Sequence, residues 1–265
     1  MAILKNALQF TGGISGLSAY TMKGSDKIIL RTKGGPTKAQ IKKSPNHSNT
    51  RLYISEFGGA SKAASWIRYA ITPVKHLNDY RYGAALTALC KHLQRLDKVS
   101  VLGERGIAVS QHRYLLEGFH LNKQHTLDHV IRHPLTYAIQ RDTGAATIHI
   151  PQLQPGINLH IPWQQTHYRF IISLGVVRDC TYRADHAYNS PDSFPALSTA
   201  HLHSSWHSAE QPLEAQSFTL QLNRPEPLQD NMSVVLAFGI EMGPVLYPNK
   251  RRKDIPGCAK IIAVG

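Results

Sequence analysis

The feature of the sequence that most constrains the fold is a series of short apolar segments that begins at Pro134. Pro, Gly, Asn and Asp residues separate these segments, as expected for strands joined by turns. The first two segments flank Asp142-Thr143-Gly144 and predict a β-hairpin. Seven or eight strands at this spacing predict an antiparallel β-sandwich over residues 134–265. The predicted strands span residues 135–140, 146–150, 157–161, 168–177, 197–204, 217–222, 234–240 and 260–264.

Residues 37–133 carry helical signals instead. Thr37 and Gln40 have the spacing of a capping box, in which each side chain satisfies a backbone amide at a helix start, so a short basic helix is expected there. A longer helix is predicted from about residue 50 up to Pro73, because proline cannot continue it.

Residues 80–96 show the clearest helical periodicity. Apolar side chains recur there at spacings of three and four, which places them on one face of a helix. They are Leu86, Leu89, Cys90, Leu93 and Leu96. Residues 114–133 are expected to add one or two shorter helices. The fold class predicted for the chain is therefore α+β, with an N-terminal β-hairpin and helical region followed by the antiparallel β-sandwich.

Residues 1–36 are predicted to form a basic arm that contains the hairpin. Two strand-like runs, 18–22 and 27–32, flank a turn that includes Gly24 and Asp26. A two-stranded ribbon is marginally stable in water, so the arm is expected to dock on its own chain or on another chain. The expected assembly contacts are Tyr20, Met22, Ile28, Ile29 and Leu30.

Positive charge is concentrated near the N-terminus. The chain carries 30 Lys and Arg against 17 Asp and Glu, and its first 72 residues hold 11 of the basic and 2 of the acidic residues. Such a block attracts phosphate backbones or other anionic surfaces, with Tyr20 or Tyr53 near enough in sequence to stack on bases. The same charges can equally face solvent or bridge subunits. The candidate anion or nucleic-acid contacts are Lys33, Lys38, Lys42, Lys43, Arg51, Arg251, Arg252 and Lys253.

Histidine spacing raises the question of a metal site. His125, His129 and His133 are spaced by four, as on one helical face, but the glutamate of an HExxH motif is absent. His201 and His203 alternate along a predicted strand and would share one face. Surface histidines explain both patterns, so neither a metal nor any other cofactor is predicted.

Signatures of common enzyme classes are absent from the sequence. There is no GxSxG, Walker, GxGxxG or kinase motif, so no catalytic residue and no small-molecule substrate is predicted. Cys90, Cys180 and Cys258 are far apart and are expected to be buried free thiols. The sequence has neither a standard signal peptide nor an apolar run long enough to span a membrane, and synthesis in the cytoplasm is expected.

Three segments resemble those of uncharacterised protein families of Bacteroidota. They are FTGGISGLSAYTMKGSDKIILRTKGGPTKAQIK, NTRLYISEFGGASKAASWIR and LLEGFHLNK. The resemblance implies a glycine-rich N-terminal hairpin and helical segment followed by a β-rich C-terminal part, over most of the chain. It implies no activity and no catalytic residues.

Taken together, these features favour a non-enzymatic structural protein that self-assembles into a homo-oligomer or filament through its N-terminal arm. The alternative hypothesis is a nucleic-acid-binding or packaging protein, related to phage functions, that uses the same basic region. A carbohydrate- or protein-binding β-sandwich, with Trp163 and Trp206 as aromatic platforms, is a weaker alternative.

Overall fold

The structure is a computed structural model, and it divides the chain into two compact units. The units are Met1–Arg51 and Leu52–Gly265. The described residues are 2–3, 11–21, 27–183, 185, 187–188, 198–223, 227–243 and 255–265. The sequence-based division at residues 36 and 133 stays a prediction.

The first unit contains a four-stranded antiparallel sheet and a short helix. The strands are β1 (Ala2–Ile3), β2 (Gly12–Ile14), β3 (Leu17–Thr21) and β4 (Ile28–Thr32), in the order β1-β4-β3-β2. Pairing of β3 with β4 confirms the predicted hairpin. The helix α1 spans Lys38–Lys43 and begins with the predicted capping box of Thr37 and Gln40.

Two long helices form most of the helical region. The helix α2 spans Ser48–Ala70 and α3 spans Tyr82–Leu96, close to the predicted bounds. Leu86, Cys90 and Leu93 of α3 are buried, which confirms the apolar face expected from their spacing.

The segment after α3 confirms the expectation of one or two short helices in residues 114–133. Within the described residues it contains a 3₁₀ turn at Arg113–Leu115 and the four-residue helix α4 (Leu127–Val130). The backbone there forms hydrogen bonds to a distant strand: the amides of Gly118 and Leu121 donate to carbonyls of residues 261 and 259. Because these groups are satisfied by the sheet, the segment does not need helical hydrogen bonds.

Two antiparallel sheets make up the rest of the second unit. One contains β5 (Thr136–Gln140), β6 (Ala145–Ile150) and β10 (Gln216–Gln221), in the order β10-β6-β5. The other contains β7 (His167–Arg178), β8 (Thr199–His203), β9 (His207–Ser208), β11 (Met232–Gly243) and β12 (Gly257–Val264). Its order is β12-β11-β7-β8, with β9 also paired to β7. The structure therefore confirms the α+β class with antiparallel sheets.

The predicted strand at residues 157–161 is wrong. The amides of Ile157, Asn158 and Leu159 all donate to the carbonyl of Gln154, so the segment closes into a turn. Gly156 has a φ of +79°, which an extended strand does not use. The local turn therefore outweighs the β propensity of the apolar residues.

The long strand β7 is buried on both faces. Ile171 belongs to a hydrophobic cluster that includes α2 residues such as Ile67, and the Ser173 hydroxyl donates to the carbonyl of Ala70 over 3.0 Å. Ile172, on the opposite face, belongs to a second cluster together with Ile148 of β6. This sheet thus contributes to two hydrophobic clusters, one on each face.

All three cysteines lie in the second unit and are buried free thiols, as expected from the sequence.

Candidate functional site

The first unit presents an open sheet edge. β2 is last in the strand order, and its residues are exposed. Ser15 and Gly16 join β2 to β3 with φ angles of 38° and 84°, as in the two-residue turns that favour hairpins. Ile14 and Leu17 flank the turn as a cross-strand pair and are 55% and 37% exposed. Within the described residues no further strand pairs with β2, so this edge can accept another strand.

The strands β2, β3 and β4 of this sheet bury few side chains. Among their residues whose burial the structure describes, only Ala19 and Ile29 are buried. The sequence predicted only a hairpin and missed β1 and β2, although Ser15-Gly16 is a turn signal that indicates a strand pair around it. These two buried side chains, one of them an alanine, contribute little hydrophobic stabilisation.

The predicted assembly residues have different environments. Ile29 is buried, and Tyr20 stands opposite it on β3. The guanidinium of Arg31 lies 5.4 Å from the centroid of the Tyr20 ring. Ile28 and Leu30 are half-buried, and Met22 lies outside the described residues.

Four of the predicted anion contacts are exposed lysines of the first unit. They are Lys33, Lys38, Lys42 and Lys43. Arg51 is instead half-buried, and its Nη1 group donates to the carbonyls of Ile41 and Ser44 over 2.8 Å each. It therefore holds the end of α1 against the start of α2. The remaining predicted contacts, Arg251, Arg252 and Lys253, lie outside the described residues.

The first histidine series does not form one helical face. Only His129 lies within α4, and its ring packs 5.5 Å from that of His160. His125 precedes the helix and packs against Trp163. The described residues contain no group of three His, Cys, Asp or Glu side chains arranged to hold a metal ion.

A polar cleft of about 290 Å³ opens in the second unit where α2 ends beside β8. It is lined by Tyr69, Thr72, Pro73, His76, Arg169, Thr199, His201, His203 and Glu241. The sheet register brings the strand residues together: Glu241 of β11 is the cross-strand partner of Arg169 on β7. On the other side of β7, His203 is the partner of Ile171 and His201 that of Ser173, so both histidines lie on the face that carries Arg169.

Glu241 is the centre of the cleft's charge network. Its Oε2 accepts a hydrogen bond from Nε of Arg169 and forms an ion pair with Nη2 of the same side chain, each over 2.5 Å. Its Oε1 lies 2.8 Å from Nε2 of His76. Burial alone would raise the pKa of Glu241, but the hydrogen bonds from His76 and Arg169 lower it overall. Glu241 is therefore ionised at neutral pH.

Trp206 packs against the guanidinium of Arg169. The guanidinium carbon of Arg169 lies 4.7 Å from the centroid of the Trp206 ring. Gly243 makes room for this ring, because a Cβ atom there would meet it at 2.3 Å. One face of Trp206 is thus occupied by a cation, which leaves less of it for the carbohydrate platform considered from the sequence.

The sequence signals for this cleft were incomplete. The alternation of His201 and His203 was visible, and the structure places their rings 5.7 Å apart. Arg169 and Glu241 are charged residues inside otherwise apolar strand sequences, which is a usable signal for a buried ion pair. Their partnership with His76 depends on tertiary structure, since 165 residues separate His76 from Glu241.

A second charge network lies inside the helical layer. The carboxylate of Glu56 is fully buried and accepts hydrogen bonds from Arg105 through Nε at 2.6 Å and Nη2 at 2.9 Å. Lys91 and the amide of Gly103 also donate to it. Burial opposes ionisation, but the hydrogen bonds from Arg105 and Lys91 lower the pKa of Glu56 to about 2. This network holds α2, α3 and the following loop together.

No family model, curated protein or solved structure matches the chain. The resemblance to Bacteroidota families therefore stays a prediction. No helix in the described part of the chain is both long and apolar enough to cross a bilayer.

Proposed function

We propose that the protein is a non-enzymatic structural protein that self-assembles through its N-terminal unit. The observation that carries the proposal is the open β2 edge, with Ile14 and Leu17 exposed beside it. An exposed strand edge can pair with a strand of another molecule, because its backbone donors and acceptors are already aligned for a ladder.

The small core of the N-terminal sheet supports this role. Ala19 and Ile29 alone are buried among its described side chains, so added strands and covered apolar surface would contribute a large share of its stability. The proposed occupant of the edge is the N-terminal sheet of a second copy of the chain.

The choice of edge would set the form of the assembly. β1 and β2 are the two outer strands of the sheet. Pairing of β2 with β2 of a second copy is isologous and closes a dimer, whereas pairing of β2 with β1 leaves free edges and propagates a filament. Both forms depend on the same β2 strand.

Charge repulsion gives the assembly a characteristic salt dependence. Residues 1–51 contain nine Lys or Arg and one Asp, which gives this segment a formal charge of +8. Two such units repel each other, and salt screens this repulsion over roughly 8–10 Å at 0.1–0.15 M ionic strength. Assembly should therefore strengthen as salt is added.

Light scattering after size-exclusion chromatography, at low and high salt, tests the proposal. Deletion of residues 1–34 should abolish assembly, and Ile14→Glu should weaken it by placing a charge at the apolar edge. Lys42→Gln is the matched control, because it changes net charge by the same amount on α1, away from the edge. Unchanged assembly of both the deletion and the Ile14→Glu variant would show that the edge is not the interface.

Nucleic-acid binding by the same unit is a second candidate function. The observation that favours it is the set of exposed lysines on and before α1, including Lys38, Lys42 and Lys43. Affinity for duplex DNA would then fall with salt, with a logarithmic slope of about 0.9 for each phosphate contact. Replacing these three lysines by Gln should reduce the slope by roughly 2–3, whereas Lys98→Gln in the second unit should leave it unchanged. An unchanged slope in the triple variant would exclude α1 as the contact surface.

We also infer that the two sheets of the second unit pack as the predicted β-sandwich. Support comes from the hydrophobic cluster that contains Ile148 of β6 together with Phe170, Ile172 and Leu174 of β7. Side chains of two sheets that share one dry cluster are the expected core of such a packing.

A further inference from the structure

The cleft beside β8 has more hydrogen-bond donors than its own acceptors can use. Glu241 is the only acidic residue among the described residues that line it, and both of its oxygens are already engaged. The remaining lining includes the exposed imidazoles of His201 and His203 and the hydroxyl groups of Tyr69 and Thr199. The hydroxyl of Thr72 also lines the cleft, but it already donates to the carbonyl of Arg68 over 3.3 Å. A ligand that fits this lining must bring acceptors and negative charge.

Arg169 is preorganised to bind such a ligand. Glu241 engages Nε and Nη2 of Arg169, and the Trp206 ring lies under the guanidinium plane. Among the described residues, no hydrogen-bond partner is found for Nη1 of Arg169. The Arg169 side chain is 27% exposed, so this group can reach a ligand. A planar guanidinium fixed in this way loses little rotamer freedom on binding an oxyanion.

We propose that the cleft binds the phosphate group of a small phosphorylated molecule, with Arg169, His201 and His203 as its charged or polar donors. His76 is a positioning residue, because its Nε2 lies 2.8 Å from Glu241, which in turn holds Arg169. The volume of about 290 Å³ suits a small molecule and is at the lower end of the range of ligand pockets. This inference concerns the second unit and does not depend on assembly through the first.

Proton uptake should accompany binding. Partial desolvation in the cleft lowers the pKa of His203, and the nearby Arg169, His201 and His76 lower it further, while Glu241 acts in the opposite direction. His203 is thus neutral in the empty cleft at neutral pH, and a bound dianion favours its protonated form. Anion affinity should therefore rise as pH falls from 7.5 to 5.5, by about fivefold or more.

The test is an NMR titration of the histidine ring protons in the full chain, with ionic strength held constant by sodium chloride. Sodium sulfate is the first probe, because it remains a dianion throughout this pH range, and inorganic phosphate and glycerol 3-phosphate follow. The signals of His201 and His203, assigned with His201→Gln and His203→Gln, should shift saturably with each probe. Anions that bind only the N-terminal lysines would leave these signals in place, and that result would overturn the proposal.

A double variant measures the contribution of the imidazoles. His201→Gln/His203→Gln should weaken sulfate binding about tenfold or more at pH 6, the effect of losing charged hydrogen bonds. Its melting temperature should match that of the unaltered chain, because both side chains are exposed. His149→Gln, an exposed histidine on β6, is the matched control and should bind sulfate normally.

Three outcomes would refute the assignment. Equal affinity of the double variant and the unaltered chain would show that the histidines take no part. Acetate that shifts the same signals as strongly as phosphate would replace the phosphate assignment with a carboxylate site. Exclusion of glycerol 3-phosphate while inorganic phosphate binds would show that the cleft does not accept a phosphorylated molecule.

Discussion

Replacing Glu56 with Gln should destabilise the second unit, because Glu56 is the centre of a buried charge network. The pH dependence of the lost stability identifies this cause. The carboxylate is fully buried and receives hydrogen bonds from Arg105, Lys91 and the amide of Gly103. Gln keeps the shape of the side chain but removes the negative charge. Two cations then face each other without compensation, and breaking a buried ion pair from one side costs about 3–5 kcal/mol. A destabilisation near the lower end of this range is expected for Glu56→Gln, because the Lys91 and Arg105 side chains are 21% and 20% exposed and water can partly solvate their charges.

The pKa of Glu56 expresses the same interactions as a free energy. The folded-state pKa is about 2, against 4.5 for the ordinary side chain. At about 1.4 kcal/mol for each pKa unit, this shift corresponds to roughly 3 kcal/mol. Because the folded-state pKa is the lower one, the stabilisation is complete above the ordinary pKa and is lost as pH falls toward 2. Between pH 6 and pH 3, about 2 kcal/mol should disappear.

This pH-dependent loss of stability can be measured by urea unfolding, with tryptophan fluorescence as the signal. Trp66 of α2 is buried, so its emission should change on unfolding. The difference in free energy of unfolding between the unaltered chain and Glu56→Gln should shrink by about 2 kcal/mol from pH 6 to pH 3. Glu104→Gln removes a nearby exposed carboxylate and should show no such trend. A difference that stays constant with pH would refute the reasoning, because it would mean that Glu56 has the same pKa in the folded and unfolded states.

Two further predictions concern burial. Burial raises the pKa of Cys90 and Cys180 to about 12. Neither thiol should therefore react with Ellman's reagent at pH 8 in the folded protein, whereas both should react in guanidinium. Rapid reaction of these thiols in the folded protein would contradict their buried positions. Gly175→Ala would bring a Cβ atom to 2.7 Å from the backbone of Ala70 and should cost about 1–3 kcal/mol in urea unfolding. Gly58→Ala, with no heavy atom within 4 Å of the added Cβ, should instead stabilise α2 by up to about 1 kcal/mol; equal effects of the two substitutions would argue against the close approach of β7 to α2.

Local patterns in the sequence were sufficient for several elements. The spacing of Leu86, Cys90 and Leu93 specifies the buried face of α3, because an apolar face at helical period has to be covered. Thr37 and Gln40 specify the start of α1 through contacts three residues apart. The hairpin of β5 and β6 follows from a short turn between two apolar runs. In each case the interacting residues are close together in the chain.

Elements that depend on distant partners were not predictable in this way. The segment around Gly118 and Leu121 has helical composition, but its amides bond to carbonyls of β12. Burial of Glu56 was likewise hidden, since its partners Lys91 and Arg105 lie 35 and 49 residues away. Contacts between residues so far apart in the chain cannot be predicted from the spacing of neighbouring residues.

The α+β class, the main helices and the basic character of the N-terminal unit could be predicted from the sequence, because propensity, periodicity and charge are properties of neighbouring residues. The cleft, in contrast, depends on how distant strands and helices pack against one another. His76 follows the end of α2, and Arg169 and Glu241 meet through the register of β7 and β11, 72 residues apart. A shift of that register by one residue would turn either side chain to the opposite face of the sheet. The cleft therefore exists because the packed sheet fixes which faces meet, and that information is distributed over the whole core.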